Sequence, residues 1–283
     1  MSLAFNIGGS NESIDDIEMT LHLEGNMFDP ERITSSRGFY DSEKNSIRFN
    51  KENTDELVSI KENQVYHFDV SLLSYGEDFL KQTKIKDPHI GLSIDITGKR
   101  KNGQIVKLID IEKKRIVFLS QFDVSGDTWF AKGDLKNVGL YPPVAEEDST
   151  YTLVWYIHGA TNPYTNVVFQ TRLPEYVTFI QPEKEDKNFT YDEKSKTIIW
   201  KAGSIDTSKE ENNKVQFQVQ VKPSLGQVGK VIDLTKEITV RAHDEFSKED
   251  VKKIIPAHTT NLVNDEISPI TSGTVRGAFG KNE

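Results

Sequence analysis

The feature that most constrains this chain is an alternation of apolar and polar residues that runs through it twice, in the same order. In the second half, Leu153, Trp155 and Ile157 alternate with Thr152, Val154 and Tyr156, the period of a strand with one face in a core. Gly159 to Pro163 supplies turn residues, and Val167, Phe169, Thr171 and Leu173 resume the alternation. Pro174 has no N–H for a ladder, so the strand ends there or lies at an edge. Val177 and Phe179 make a short strand, and Tyr191-Asp192 with a turn at Glu193–Lys196 leads to Ile198, Trp200 and Gly203. Val215, Phe217, Val219 and Val221 give the cleanest alternation of all. The pattern predicts antiparallel β structure.

The first half follows the same plan. Leu3, Phe5, Ile7 and Gly9 fall on Leu153, Trp155, Ile157 and Gly159, and the same offset carries Ile17, Met19 and Leu23 onto Val167, Phe169 and Leu173. One residue further shifted, Tyr40-Asp41, Ile47 and Phe49 meet Tyr191-Asp192, Ile198 and Trp200. Phe68 and Val70 then match Phe217 and Val219, and Ile94 and Ile96 match Ile238 and Val240. Cores constrain volume and loops do not, so recurring apolar positions between unequal loops are the mark of a copied fold. The predicted class is all-β: two tandem immunoglobulin-like antiparallel β-sandwiches over residues 1–124 and 125–263, with an extended tail over 264–283.

Several local expectations follow. Ile90–Lys99 and Ile105–Ile111 form a hairpin, because Asn102-Gly103 suits the primed turn that matches strand twist. Tyr75–Lys86 is a single helical turn or a long crossover loop. Arg115–Leu119 closes the first sandwich, and Ser125-Gly126-Asp127 is the break. Trp129–Lys132 opens the second sandwich, Val138–Glu147 with Pro142-Pro143 is a stiff connector, and Lys236–Ala242 and Lys252–Leu262 are the last strands. The first residues already read as strand, so the chain is expected to be a fragment or to have lost upstream sequence.

At 283 residues there is length for two domains, each with its own core. A net charge of −9 argues against nucleic acid, whose phosphates require a basic face. The absence of cysteine excludes disulfides, zinc–thiolate sites and cysteine nucleophiles. No apolar run reaches membrane-spanning length, so no membrane insertion by this segment is expected.

The search for chemistry assigns no catalytic, cofactor or metal residue. His22, His67, His89, His158, His243 and His258 form no helical zinc-protease pair and read as solvated or loop histidines, with His67 facing outward. There is no Gly-x-Ser-x-Gly elbow, and Gly8-Gly9-Ser10 reads as a turn. Asp15-Asp16, Glu146-Glu147-Asp148, Glu183/Glu185/Asp186 and Glu210-Glu211 are read as solvated loops and blunted edges rather than a glycosidase pair. Asp127, Asp134 and Glu146–Asp148 are candidates for calcium between domains but lack a spaced ligand loop. Trp155 and Trp200 belong in the core, while Trp129, with Phe130 and Tyr141, plugs the domain junction or forms a sugar platform. The sequons Asn11-Glu12-Ser13 and Asn188-Phe189-Thr190 matter only in a glycosylating host, and a Lys–Asn or Lys–Asp crosslink has no motif behind it.

With Tyr151-Thr152…Trp155, Thr161-Asn162, Asn166-Val167-Val168, Leu173-Pro174, Ile199-Trp200 with Gly203, and Phe217-Gln218-Val219 assembled, residues 137–263 resemble the "conserved repeat" immunoglobulin-like domains of bacterial surface proteins. The Val138–Pro143 lead and the Pro223–Gly229 loop are also similar to repeat-bearing surface proteins of small-genome, mostly uncultured bacteria. The first repeat shares only the general plan and departs at Gly25. The resemblance implies export, an elongated shape and no enzymatic activity.

The expected function is that of a non-catalytic cell-surface or extracellular structural or adhesive module, a semi-rigid spacer or assembly unit. The alternative is a carbohydrate-binding module or an accessory domain of a secreted enzyme. The expected partner is a protein or cell-envelope component, with self-assembly through an edge strand at Leu3 as one route and a glycan as another. Exposure of Trp129, Tyr156 and Tyr164 would favour the glycan.

Overall fold

The computed structural model describes residues 2–8, 12–35, 37–61, 65–205, 213–267 and 272–278. Gly9 and Ser10 of the expected first turn, Asn11 of the first sequon, the Glu210-Glu211 pair and parts of the tail lie outside the described residues. The fold is all-β and sandwich-like, built of antiparallel sheets. The chain divides into two compact units, Met1–Leu119 and Ser120–Glu283.

Unit 1 contains β1 (Ser2–Gly8), β2 (Ile14–Gly25), β3 (Phe28–Ser35), β4 (Phe39–Asp41), β5 (Ser46–Phe49), β6 (Ser59–Ile60), β7 (Val65–Ser74), β8 (His89–Lys99) and β9 (Ile105–Val117). The sheets run β1-β7-β3 and β4-β5-β2-β8-β9, with β6 added on β2. Phe68, Val70 and Leu72 of β7 point inward, as do Met19, Leu21 and Leu23 of β2, because every second residue faces the core. Phe49 and Phe68 meet edge-to-face across the gap, centroids 5.5 Å apart. The stretch after Tyr75 forms a short helix, α1 (Glu77–Thr83).

Unit 2 contains β10 (Phe122–Trp129), β11 (Ser149–Ala160), β12 (Tyr164–Arg172), β13 (Val177–Pro182), β14 (Phe189–Asp192), β15 (Thr197–Ile205), β16 (Asn213–Val221), β17 (Ile238–Asp244) and β18 (Glu249–Ile255). The sheets run β10-β11-β16-β13 and β14-β15-β12-β17-β18. Trp155 of the first sheet stacks on Phe169 of the second at 5.6 Å and meets Phe217 edge-on at 5.1 Å. Trp155 is fully buried and Trp200 nearly so, as the alternation requires.

Strand for strand, the two units pair in the same order: β1-β7-β3 matches β11-β16-β13, and β4-β5-β2-β8-β9 matches β14-β15-β12-β17-β18. Register agrees as well. Met19 lies between Phe49 and Ile96, as Phe169 lies between Trp200 and Val240. Tyr40 faces Ile47, as Tyr191 faces Ile198. The first strand differs from the sequence alignment. Phe5 sits opposite Phe68 and Leu153 opposite Phe217, so Phe5 takes the place of Leu153 rather than of Trp155. The path from Leu153 to Phe169 is two residues longer than that from Phe5 to Met19. A slip of two preserves which face points inward, so hydrophobic pattern alone does not reveal it.

Three expectations about boundaries are corrected. Ser125-Gly126-Asp127 is no break: it lies within β10, opposite Tyr156, Trp155 and Val154. Gly126 serves packing, since a Cβ there would stand 2.9 Å from Cε1 of His258. Pro142 and Pro143 are buried within unit 2, well past the boundary at Ser120, so they cannot stiffen a junction. The described part of the tail is docked rather than free: Val275 is buried, and its N–H and that of Arg276 donate to the carbonyls of Lys230 and Pro143. The last two strands also form a tight hairpin, with Leu262 lying beyond them as a buried anchor.

Candidate functional site

One feature that distinguishes the two units is a sheet edge. In unit 2, β11 is flanked by β16 on one side and β10 on the other, with Phe122 to Trp129 running antiparallel to Ala160 to Thr152. The counterpart of β11 in unit 1 is β1, which pairs with β7 and, among the described residues, with no other strand. An edge strand presents unpaired N–H and C=O groups on its open side, a template for a further strand. Ala4 and Asn6 of β1 are exposed on the sheet face, with neither charge nor proline to blunt the edge.

The histidines sit apart from one another, each with its own partner or in solvent. His22 hydrogen-bonds Asp95 at 3.0 Å, His89 Nδ1 lies 2.7 Å from the Asp87 carbonyl, and His243 lies 2.8 Å from Asp250. His67 faces outward, as its place beside Phe68 predicts. His158 Nε2 lies 2.7 Å from the Ser125 hydroxyl, a pairing the sequence did not reveal because the residues come from neighbouring strands. Its other face stacks on Tyr156, and among the described residues no carboxylate hydrogen-bonds it, so a nucleophile–base–acid relay is not assembled.

His258 is not solvated. It is buried in unit 2, where it accepts from the Trp155 indole N–H at 3.1 Å through Nε2. An indole nitrogen only donates, so the His258 proton resides on Nδ1 and is directed at Thr128 Oγ1, 3.2 Å away. Burial pushes its pKa down to about 3, which fixes the ring as neutral.

Two buried carboxylates hold the ends of unit 2. Asp244 accepts from the N–H of Ser120 at 2.8 Å, from the Ser120 hydroxyl at 3.1 Å and from the N–H of Phe246 at 2.9 Å. The Tyr164 hydroxyl donates to the Ser120 carbonyl at 2.7 Å, completing a latch on the first residue of the unit. Burial alone would raise the Asp244 carboxyl, but the donors from Ser120 and Phe246 outweigh it and hold the group below its ordinary range. Asp265 accepts from the successive N–H groups of Phe130, Ala131 and Lys132 at 2.7, 3.1 and 3.1 Å, fastening the C-terminal stretch to the loop after β10. Among the described residues neither carboxylate pairs with a lysine ammonium.

Asp127, Asp134 and Glu146–Asp148 do not converge. Asp127 accepts from Asn264 Nδ2 at 2.8 Å, and no group of His, Asp or Glu among the described residues could hold a metal ion. The aromatic platform does not form either. Trp129 is 3% exposed and Tyr164 fully buried, leaving only Tyr156 partly accessible. Trp129 packs under Lys132, whose Nζ lies 4.8 Å from the ring centroid, and beside Tyr156.

On unit 1 a concavity of about 310 Å³ lies over a β-bulge in β2. It is lined by ion pairs: Asp16 with Lys51 at 2.7 Å and Lys99 at 3.0 Å, and Glu18 with Arg48 at 2.6 Å. Hydrogen bonds from Lys51 and then Lys99 hold the Asp16 carboxyl below its usual range. The pairs neutralise one another, the ordinary state of a solvated sheet face.

No protein-family model and no curated protein matches the chain in sequence. In structure it is similar to BcpA, the major pilin subunit of Bacillus cereus, at 8% identity and a TM-score of 0.32, over 92% of this chain and 69% of that one. It is similar too to the full-length major pilin SpaD of Corynebacterium diphtheriae, at 7% identity and a TM-score of 0.33, over 88% of this chain and 59% of that one. The Mu homology domain of Fcho1 from Danio rerio, with bound Eps15 peptide, gives 10% identity and a TM-score of 0.31, over 86% of this chain and 78% of that one. Likenesses this distant assign neither a family nor an activity. Among the described residues no helix is long and apolar enough to cross a membrane.

Proposed function

We propose that the chain is a non-catalytic structural or adhesive module of two immunoglobulin-like sandwiches, copied from one ancestral unit, that assembles at a cell surface by strand addition. The observation that carries this reading is the edge of β1, which pairs only with β7 among the described residues, where its counterpart β11 is covered by β10 as well. Lettering β10, β11, β12, β13, β16, β17 and β18 as A to G gives sheets A-B-E-D and G-F-C, the immunoglobulin constant-type order. The β14–β15 hairpin extends the second sheet beyond C. Among the described residues, unit 1 repeats the pairing order of B to G. We place the protein with the conserved-repeat surface proteins that residues 137–263 resemble, and its partner is a protein that adds a strand at this edge. Main-chain hydrogen bonds would give such a contact its affinity.

Sedimentation velocity across a concentration series tests the proposal. Concentration-dependent association is expected, and Ala4→Lys with Asn6→Lys should weaken it at least tenfold, because edge lysines discourage pairing. A particle that stays monomeric at every concentration, in the presence of a synthetic Phe122–Trp129 strand as well, would remove strand addition.

A further inference from the structure

The outer face of the second sheet of unit 2 carries a charge pattern that does nothing for the stability of the sheet. Lys201 lies opposite Val168, Val168 opposite Arg241, and Arg241 opposite Lys252. One transverse row across β15, β12, β17 and β18 therefore holds three cations and no carboxylate. All three are exposed, and among the described residues none has a carboxylate partner. Like charges directly opposite each other in an antiparallel pair are destabilising.

Beside the row is a concavity of about 360 Å³, lined by Asn166, Arg241, His243, Asp250 and Lys252. Asp250 is its acid, and that carboxylate is engaged by His243 Nδ1 at 2.8 Å. Asn166 stands at a β-bulge with a φ of 53°, in the left-handed region that asparagine tolerates. Unit 1 shows what the same place looks like when it neutralises itself. There Glu18 lies opposite Thr97 as Val168 lies opposite Arg241, and Asp16 occupies the bulge as Asn166 does. Relative to unit 1, two carboxylates have become neutral residues and a threonine has become an arginine.

We propose that this concavity binds a tetrahedral oxyanion, a phosphate or sulfate ester group, on Arg241 and Lys252, with the Asn166 amide as a further donor. A guanidinium offers paired N–H groups that match two oxygens of such an ion, and an ammonium adds a mobile point charge. The bound anion relieves the repulsion within the row. The chain as a whole is anionic, at −9, and charges are screened beyond about 8 Å at physiological salt. The site therefore takes a single ester group or a short oligomer rather than a long polyanion.

The test is an amide NMR titration of the full chain with inorganic phosphate, inorganic sulfate and a sulfated tetrasaccharide. Shifts should be confined to the neighbourhood of Asn166, Arg241, His243 and Lys252. A tetrasaccharide bound at least tenfold tighter than either free ion identifies a saccharide-borne ester as the ligand, and equal affinities identify the free ion. Arg241→Ser with Lys252→Ser should weaken binding at least tenfold. Val168→Glu, which restores the unit 1 carboxylate and removes no cation, should do the same. Phosphate should raise the melting temperature of the wild type and leave that of Val168→Glu unchanged. Shifts centred elsewhere, or folded variants that bind as the wild type does, overturn the proposal.

Discussion

His258 shows how one side chain can set the acid limit of a domain. In the fold it is neutral, accepting from Trp155, with a pKa near 3 against an ordinary value of 6.5. Below pH 6.5 the unfolded chain takes up a proton that the folded chain refuses, so stability is fully present above that pH and declines as pH falls toward 3. The slope from one proton cannot exceed about 1.4 kcal/mol per pH unit. Because Trp129, Trp155 and Trp200 are the chain's tryptophans and all lie in unit 2, urea titrations followed by tryptophan fluorescence read this unit directly. The midpoint should hold steady above pH 6.5 and drop below it, and His258→Gln should flatten the drop while lowering the plateau. Asp244 is the second test at this scale. Asp244→Ala strands the buried Ser120 N–H and hydroxyl, and by the usual cost of unpaired buried donors should destabilise unit 2 by about 2–4 kcal/mol in the same assay. Neither role was legible in the sequence. His258 and Trp155 are 103 residues apart, and Ser120 and Asp244 are 124 apart, so no local pattern links them.

Many strands, by contrast, were legible from their core face. Met19, Phe49 and Ile96, and their counterparts Phe169, Trp200 and Val240, stand in register in the structure because burial fixes which side chains face inward. The alignment failed where burial is indifferent. The two-residue slip of β1 leaves the inward face unchanged, and Gly126 looks like a chain break although it is a strand residue that makes room for His258. Bulges are equally silent in sequence, yet both units place one at the same point, with Asp16 at φ 45° and Asn166 at φ 53°. Asparagine and aspartate tolerate that region, and β-branched residues do not. Asn166→Gly should therefore be nearly neutral, whereas Asn166→Val should cost about 1–2 kcal/mol by fluorescence-detected unfolding. That β1 pairs only with β7 among the described residues gains its meaning from β10 covering the matching edge in unit 2, which only the pairing order reveals.

At the scale of the molecule, the described residues gather into two hydrophobic cores, one from Ile14 to Ile96 and the other from Phe122 to Val275. Each unit is long enough to bury a core of its own, and the Asp244 latch closes unit 2 on its own first residue, Ser120. The tail belongs to this second core as well, through Val275 and the Asp265 contacts with Phe130 to Lys132. A fragment beginning at Ser120 should therefore fold alone, with the fluorescence-detected urea midpoint of the intact chain. A fragment that also omits the stretch from Asp265 onward should unfold earlier, because it loses both the buried valine and a carboxylate that satisfies successive N–H groups. In the intact chain, circular dichroism senses both units and fluorescence only the second, so the two transitions should not coincide. Coincident transitions, or a Ser120 fragment that remains unfolded, would mean that the cores depend on each other in a way their separate membership does not show.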